Sequence, residues 1–197
     1  MEFIAHRINT IKELQSVPHH FGVEVDLRDH GNQLILQHDP FKDGERFSDF
    51  LKYYRHQTLI LNIKSEQIEW ETLKLIKKFK IRKYFFLDSS VPMMVRLMKE
   101  REKNIAVRFS EFEHIDTVLA FAKKVRWVWV DCFSKLPIDR DIYKTLKKAG
   151  FKLCLVSPEL QGREKDIPAY KQFLIKECIK FDAVCAKLTT VVQWNRG

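Results

Sequence analysis

Residues 22 to 27 read GVEVDL and residues 58 to 64 read TLILNIK, two short apolar runs broken at alternate positions by polar side chains. In an extended chain successive side chains point to opposite faces, so Glu24 and Asp26 share one face while Val23, Val25 and Leu27 share the other. Asn62 and Lys64 are paired in the same way. Strands of a buried parallel sheet read as nearly continuous apolar runs, so each charged residue within them needs a reason.

Working outward, six more runs of this kind appear: EFIAHR (2 to 7), KYFFLD (83 to 88), IAVRFS (105 to 110), WVWVD (127 to 131), FKLCLVS (151 to 157) and DAVCAK (182 to 187). Helix-like segments separate them. In SEQIEWETLKLIKKF (65 to 79), Ile68, Leu75 and Phe79 can form a buried stripe while Lys74, Lys77 and Lys78 stay wet, and Ser65 can cap the start. Pro92 opens another helix, and Gly150 stops DIYKTLKKAG. Eight βα steps predict an α/β fold with a parallel sheet, and eight is the number that closes into a (β/α)8 barrel. An open doubly wound sheet is the other candidate, but HRINT after the first run lacks the glycine-rich turn of that fold. At 197 residues the chain is short for a barrel, which usually needs about 250. The shortage falls at the end, where LTTVVQWNRG is too short for a full last helix; that tail or a second copy of the chain should cover the first and last strands.

The composition, 45% hydrophobic and 31% charged, is that of one globular domain spanning residues 1 to 197. MEFIAHRINT has no signal-peptide pattern and no apolar run reaches transmembrane length, which leads to a cytoplasmic expectation. Cys132, Cys154, Cys178 and Cys185 lie at or near apolar runs without a C-x-x-C pair, suiting small buried side chains rather than a zinc site. The net charge of +9 comes largely from lysine-rich helical segments such as residues 74 to 83 and 144 to 152, read as solvated faces rather than a nucleic-acid surface.

Nearly every strand carries a polar residue at its carboxyl end: His6 and Arg7, Glu24 and Asp26, Asn62 and Lys64, Asp88, Arg108, Asp131, Ser157 and Lys187. That end is the functional face of a barrel. The one insertion, residues 29 to 54, contains QLILQH after an Asp-His-Gly-Asn turn, a hairpin-like extra strand that delivers His38 to the same face. Buried ion pairs such as Glu24 with Lys64 or Asp131 with Lys187 would explain single charges, but not the whole ring. Glu24 and Asp26 can grip a hard divalent cation or an arginine. His19, His20, His30, His56 and His114 look like ordinary loop or surface residues, whereas His6 and His38 can face each other. Two imidazoles near an anionic substrate suit phosphodiester cleavage, one deprotonating the nucleophile and the other protonating the leaving alkoxide.

At His6-Arg7, Glu24-x-Asp26, His38-Asp39 and Asn62-x-Lys64 the chain resembles the glycerophosphodiester phosphodiesterase family, and more distantly the phosphatidylinositol-specific phospholipase C group that shares its barrel. These motifs occupy roughly the first third of the chain. The resemblance implies His6 and His38 as acid and base, phosphate contacts from Arg7 and Lys64, and a divalent metal, Mg2+ or Ca2+, on Glu24, Asp26 and Asn62, in an enzyme of lipid metabolism. The family has a glycine where Ile8 stands and a third carboxylate where Asn62 stands. The amide keeps one oxygen but loses a charge, which weakens the site for a hard cation. Without metal, Arg108 or Lys187 would supply positive charge, with Asp131 completing the substrate-binding set. Three functions follow: a phosphodiesterase acting on a small glycerophosphodiester or sugar-phosphate diester, a catalytically degenerate barrel that holds a phosphorylated ligand, and a Schiff-base lyase or isomerase using Lys64 or Lys187. The two histidines favour the first.

Overall fold

The computed structural model describes residues 1–195 and realises every one of the eight βα steps. The elements are β1 (Glu2–Ala5), α1 (Ile11–Ser16), β2 (Gly22–His30), β3 (Gln33–Leu36), β4 (Glu45–Arg46), α2 (Phe47–Tyr53), β5 (Leu59–Ile63), α3 (Glu69–Lys78), β6 (Tyr84–Leu87) and α4 (Val91–Lys99). They continue with β7 (Ala106–Phe109), α5 (Ile115–Leu119), β8 (Trp127–Val130), α6 (Arg140–Lys148), β9 (Lys152–Val156), α7 (Ile167–Lys176), β10 (Ala183–Ala186) and α8 (Val191–Asn195). The chain forms two compact units, one of Ala5–Arg101 and the other of Met1–Ile4 with residues 102 to 197.

In the first unit, β2 pairs in parallel with β5, and β5 with β6. The register sets Asp26 beside Asn62, and Asn62 beside Leu87. Val23, Val25, Leu27, Leu59, Ile60, Leu61, Ile63, Phe85, Phe86 and Leu87 of these strands are buried, as are Phe47 and Phe50 of α2. Burial of rings of this size supplies most of the driving force for the layer. The expected hairpin is present: β2 runs on to His30, turns at Gly31, whose φ of 59° suits a residue without Cβ, and returns as β3. The two-residue strand β4, not foreseen from the sequence, pairs with β3. It requires Gly44, because a Cβ there would lie 2.3 Å from the Leu36 carbonyl oxygen.

Helix starts follow local chemistry. Thr10 and Glu13 form a reciprocal capping box on α1. Helix α3 departs from expectation: it begins at Glu69, with Ile68 as an N-cap that offers no side-chain bond, so Ser65 lies in the preceding turn. Ile68 is buried as expected, but the helix itself buries Glu69, Thr72, Leu73 and Ile76, with Leu75 and Phe79 only half-buried, while Lys74, Lys77 and Lys78 are exposed as anticipated.

In the second unit the strand order is β1-β10-β9-β8-β7, with parallel registers between β7 and β8, β8 and β9, and β9 and β10. Asp139 caps α6 through bonds from the Asp141 and Ile142 amides, and Gly150, at φ 90°, ends it. The last helix is reduced to five residues and is held by Trp194, whose indole donates to the Ser157 hydroxyl. The final two residues of the tail expected to cover the end strands lie outside the described residues. Cys132, Cys154 and Cys185 are buried, whereas Cys178, just beyond α7, is exposed, contrary to its expected burial. Among the described residues no helix is long and apolar enough to cross a membrane.

Candidate active site

Six of the candidate residues, His6, Arg7, Glu24, Asp26, His38 and Lys64, lie in one compact unit, together with Asn62 and Asp88. Their placement follows from strand geometry. Glu24, Asp26 and Asn62 are on strands and point to one face by alternation and register, while His6, Lys64 and Asp88 are carried on the residues that leave β1, β5 and β6. Arg7 and Asp88 adopt positive φ values of 55° and 58° without being glycine. Such conformations are sparsely populated and cluster at functional sites. At Arg7 the turn directs the backbone N–H onto Glu24 Oε2 at 2.6 Å. The left-handed residue of this turn is thus Arg7, and Ile8, where the resembling family has glycine, is a buried core side chain.

Glu24 is completely buried. Its Oε1 accepts from the Asn62 amide nitrogen at 2.8 Å, and its Oε2, bonded to the Arg7 amide, lies 3.7 Å from His6 Nε2. Burial, reinforced by the neighbouring Asp26 charge, pushes the Glu24 carboxyl above its ordinary range. Asp26 is nearly as buried and is surrounded by cationic and amide donors. Asn9 Nδ2 donates to its Oδ2 at 2.8 Å, Arg7 Nε lies 3.6 Å from the same oxygen, and Lys64 Nζ lies 3.6 Å from Oδ1. Lys64 also reaches Asp88 at 3.8 Å. The Glu24–Lys64 pair expected from the sequence is therefore replaced by Asp26–Lys64–Asp88, because Asn62 occupies the side of Glu24 that faces β5.

The two histidines differ in surroundings. Burial, followed by the Arg7 charge, lowers His6 to about 4, so its ring is neutral at physiological pH. His38 is partly exposed, and its Nδ1 lies 2.9 Å from Asp39 Oδ1. That contact orients the ring and leaves its other nitrogen available. Hydrogen bonds from His38 and Lys42 hold Asp39 down to about 2. His38 is close enough to act electrostatically on His6. Arg28 braces the loop, with Nε and Nη2 donating to the His38 carbonyl and Nη1 to that of Lys64.

The donor set does not fit a hard divalent cation. Both Glu24 oxygens and Oδ2 of Asp26 already accept protein hydrogen bonds, an ammonium stands by the remaining Asp26 oxygen, and Asn62 turns amide hydrogens rather than an oxygen toward Glu24. Asn62 Oδ1 is buried without a partner. Among the described residues no three His, Cys, Asp or Glu side chains converge as a metal-binding group.

Arg108, Asp131 and Lys187 lie in the other unit. Arg108 pairs with Asp131, whose carboxylate also accepts from Gln161, Trp129 and the Cys132 amide. Lys187 is exposed and does not form the expected pair with Asp131, which Arg108 engages instead. Glu159 accepts from hydroxyl and backbone donors, the Ser157 and Thr190 hydroxyls and the Lys187 amide. His56, expected as an ordinary loop or surface residue, lies in the loop between α2 and β5 but is buried there, its Nε2 in contact with the Val17 carbonyl. Two residues of the first cluster were not singled out beforehand: Arg28 had no visible signal, and Asn9 had its place beside the capping box Thr10-x-x-Glu13.

No family model matches the chain, and no curated protein is significantly similar to it. Among solved structures, a protein of Agrobacterium tumefaciens described as a glycerophosphoryl diester phosphodiesterase superposes over 99% of this chain and 98% of its own, with a TM-score of 0.71 at 10% identity. A glycerophosphodiester phosphodiesterase of the same bacterium covers both chains completely, with a TM-score of 0.69 at 13% identity. A glycerophosphoryl diester phosphodiesterase of Parabacteroides distasonis matches 98% of this chain and 85% of its own, at 0.64 and 12%. The chain therefore has the α/β fold of the glycerophosphodiester phosphodiesterases, the (β/α)8 barrel expected from its eight βα steps.

Proposed function

We propose that this chain is a divergent glycerophosphodiester phosphodiesterase that hydrolyses a small phosphodiester with two histidines and protein cations. The observation that carries the proposal is the juxtaposition of a part-buried neutral His6 with a His38–Asp39 couple, beside Lys64 and Arg7. The fold likeness supports it.

Arg7, half exposed beside Asp26, and Lys64 hold the nonbridging phosphate oxygens and offset the charge that builds on them in the transition state. His6 accepts a proton from the attacking water. The new O–P bond forms as the bond to the departing alkoxide breaks. His38, oriented by Asp39, gives that alkoxide its proton. Glu24, 3.7 Å from His6 Nε2, stabilises the imidazolium that His6 becomes. The Asn62 amide keeps Glu24 in place without an intervening cation.

The test is hydrolysis of a panel of glycerophosphodiesters and sugar-phosphate diesters with Mg2+, with Ca2+ and with chelator. Turnover that survives chelation and is abolished in both His6→Ala and His38→Ala supports the proposal; no such turnover overturns it. The Asn62–Glu24 hydrogen bond favours one further reading, a catalytically degenerate barrel that binds a phosphorylated ligand without cleaving it. Activity that arises only in Asn62→Glu supplied with metal would establish that alternative.

A further inference from the structure

Strands β7, β8, β9 and β10 are parallel and in register, so the four segments that lead into them end on one edge of their sheet. Met1 joins that edge, because the Glu2 amide donates to the Asp182 carbonyl just before β10. The edge is basic. Lys123, Arg126, Lys148, Lys152, Lys176 and Lys180 are exposed on it, whereas the carboxylates of the same segments, Glu102, Glu177 and Asp182, are half-buried, and Asp182 is taken by Lys147. Cations in the last turn of a helix are favoured by its dipole, which accounts for Lys148 and Lys176. It does not account for Arg126, Lys152 and Lys180, which stand at or just before strand starts, beyond the last turn of any helix. Like charges gathered in this way repel one another in the folded chain unless an anion offsets them.

At the β10 end of the same edge the surface is also apolar. A groove of about 430 Å³ is walled by Met1, Leu174, Ile175, Ile179, Phe181 and Trp194. Lys180 lines it too and so joins the groove to the basic edge. Four of the six apolar walls are buried, yet Ile175 is 71% exposed and Met1 55%. Exposed apolar side chains scattered singly are ordinary, but two on the wall of an apolar groove, beside a row of cations, form a surface of two chemistries.

The pairing of those chemistries selects the partner. Nucleic acid matches the charge alone: its binders combine cations with aromatic rings that stack on bases or polar groups that read base edges, and the exposed side chains of this groove are aliphatic. An anionic bilayer matches both, its headgroups complementing the cations and its acyl chains the groove. We propose that this edge docks the protein on an anionic phospholipid bilayer, with Met1 and Ile175 sunk below the headgroups and Arg126, Lys148, Lys152 and Lys180 among them. The carboxyl ends of the same strands, near Arg108 and Asp131, stay in water. This docking does not depend on the hydrolytic reading.

The experiment sediments the native chain with vesicles of phosphatidylcholine and with vesicles of phosphatidylcholine and phosphatidylglycerol in equal parts, at low and high salt. Cys178 lines the groove and is exposed, while Cys132, Cys154 and Cys185 are buried, so alkylation of Cys178 by a charged maleimide reports whether the groove is covered. The mixed vesicles should retain the chain at least about tenfold better than the neutral ones, less so at high salt, and should protect Cys178. Each cation near an anionic surface supplies about fivefold in affinity, so the triple variant Arg126→Gln, Lys148→Gln, Lys180→Gln should lose on the order of 10²-fold. Ile175→Ser, at an exposed position, should lose about tenfold. Both variants are checked for a native thermal transition, and the protection of Cys178 in the native chain needs neither. No preference for the mixed vesicles, or a preference that leaves Cys178 reactive or is untouched by Ile175→Ser, overturns the proposal. Tighter binding to duplex DNA than to the mixed vesicles also overturns it, and assigns the edge to nucleic acid.

Discussion

His6 and Asn62 carry the sharpest expectations of any single residues. Removing either proposed proton-transfer group, by His6→Ala or His38→Ala, should lower kcat/KM by about 10²- to 10⁴-fold. The His6 ring, lowered from 6.5 to about 4, should stay neutral in an NMR titration from pH 8 to 5. Its linkage to stability has a definite sign: the folded state binds fewer protons than the unfolded one between these two values. The His6 contribution is complete above pH 6.5 and is lost as pH falls toward 4. Glu24, raised by burial, acts oppositely, its cost growing as pH rises above its ordinary range. His6→Asn should therefore lose less stability than the native chain between pH 6.5 and 4.5, measured by urea unfolding at each pH. Asn62→Asp places a third carboxylate beside Glu24 and Asp26. In chelator it should destabilise the chain by on the order of 3 kcal/mol, and if the charge creates a cation site, Mg2+ or Ca2+ should restore the thermal transition.

Elements position these residues through a few polar braces. The turn between β1 and α1 is tied to β2 by Asn9, whose Oδ1 accepts from the Asp26 amide at 2.8 Å while its Nδ2 donates to the Asp26 carboxylate. One side chain thus sets both the backbone and the carboxylate of Asp26. Asn9→Ala leaves a part-buried donor and acceptor unsatisfied, so it should cost about 1–3 kcal/mol in chemical denaturation. It should also lower kcat with a smaller change in KM, because the Asp26–Lys64 geometry is loosened. The hairpin of β2 and β3 has a comparable duty: it carries His38 back to the site, and Arg28 clamps its carbonyl. In the other unit Glu159 braces the short last helix by accepting from Thr190. Glu159→Ala should lower the melting temperature by several degrees, about 1–3 kcal/mol, as its buried donors lose their acceptor.

For the whole molecule, the eight βα steps and the strand-end polar residues were legible in the sequence because they depend on short-range periodicity and on the rarity of charge in buried strands. The reach of the hairpin was legible too, from the Asp-His-Gly-Asn turn before an apolar run. The exact helix starts were not: at α3, Gln67 takes a positive φ and the turn delays the helix past Ser65, a choice no local propensity announces. Pairings between residues distant in sequence were equally hidden. Lys64 lies 38 positions from Asp26 and its preference for Asp26 and Asp88 over Glu24 depends on strand register. The sequence by itself determined which residue types stand at the strand ends, and so the fold class and the histidines. Only the tertiary structure decided how their charges are satisfied: Asn62 turns its amide hydrogens to Glu24, and Lys64 stands between Asp26 and Asp88. Hydrogen-bond partners and burial arise when separate segments meet, and those quantities set the charge state of the site.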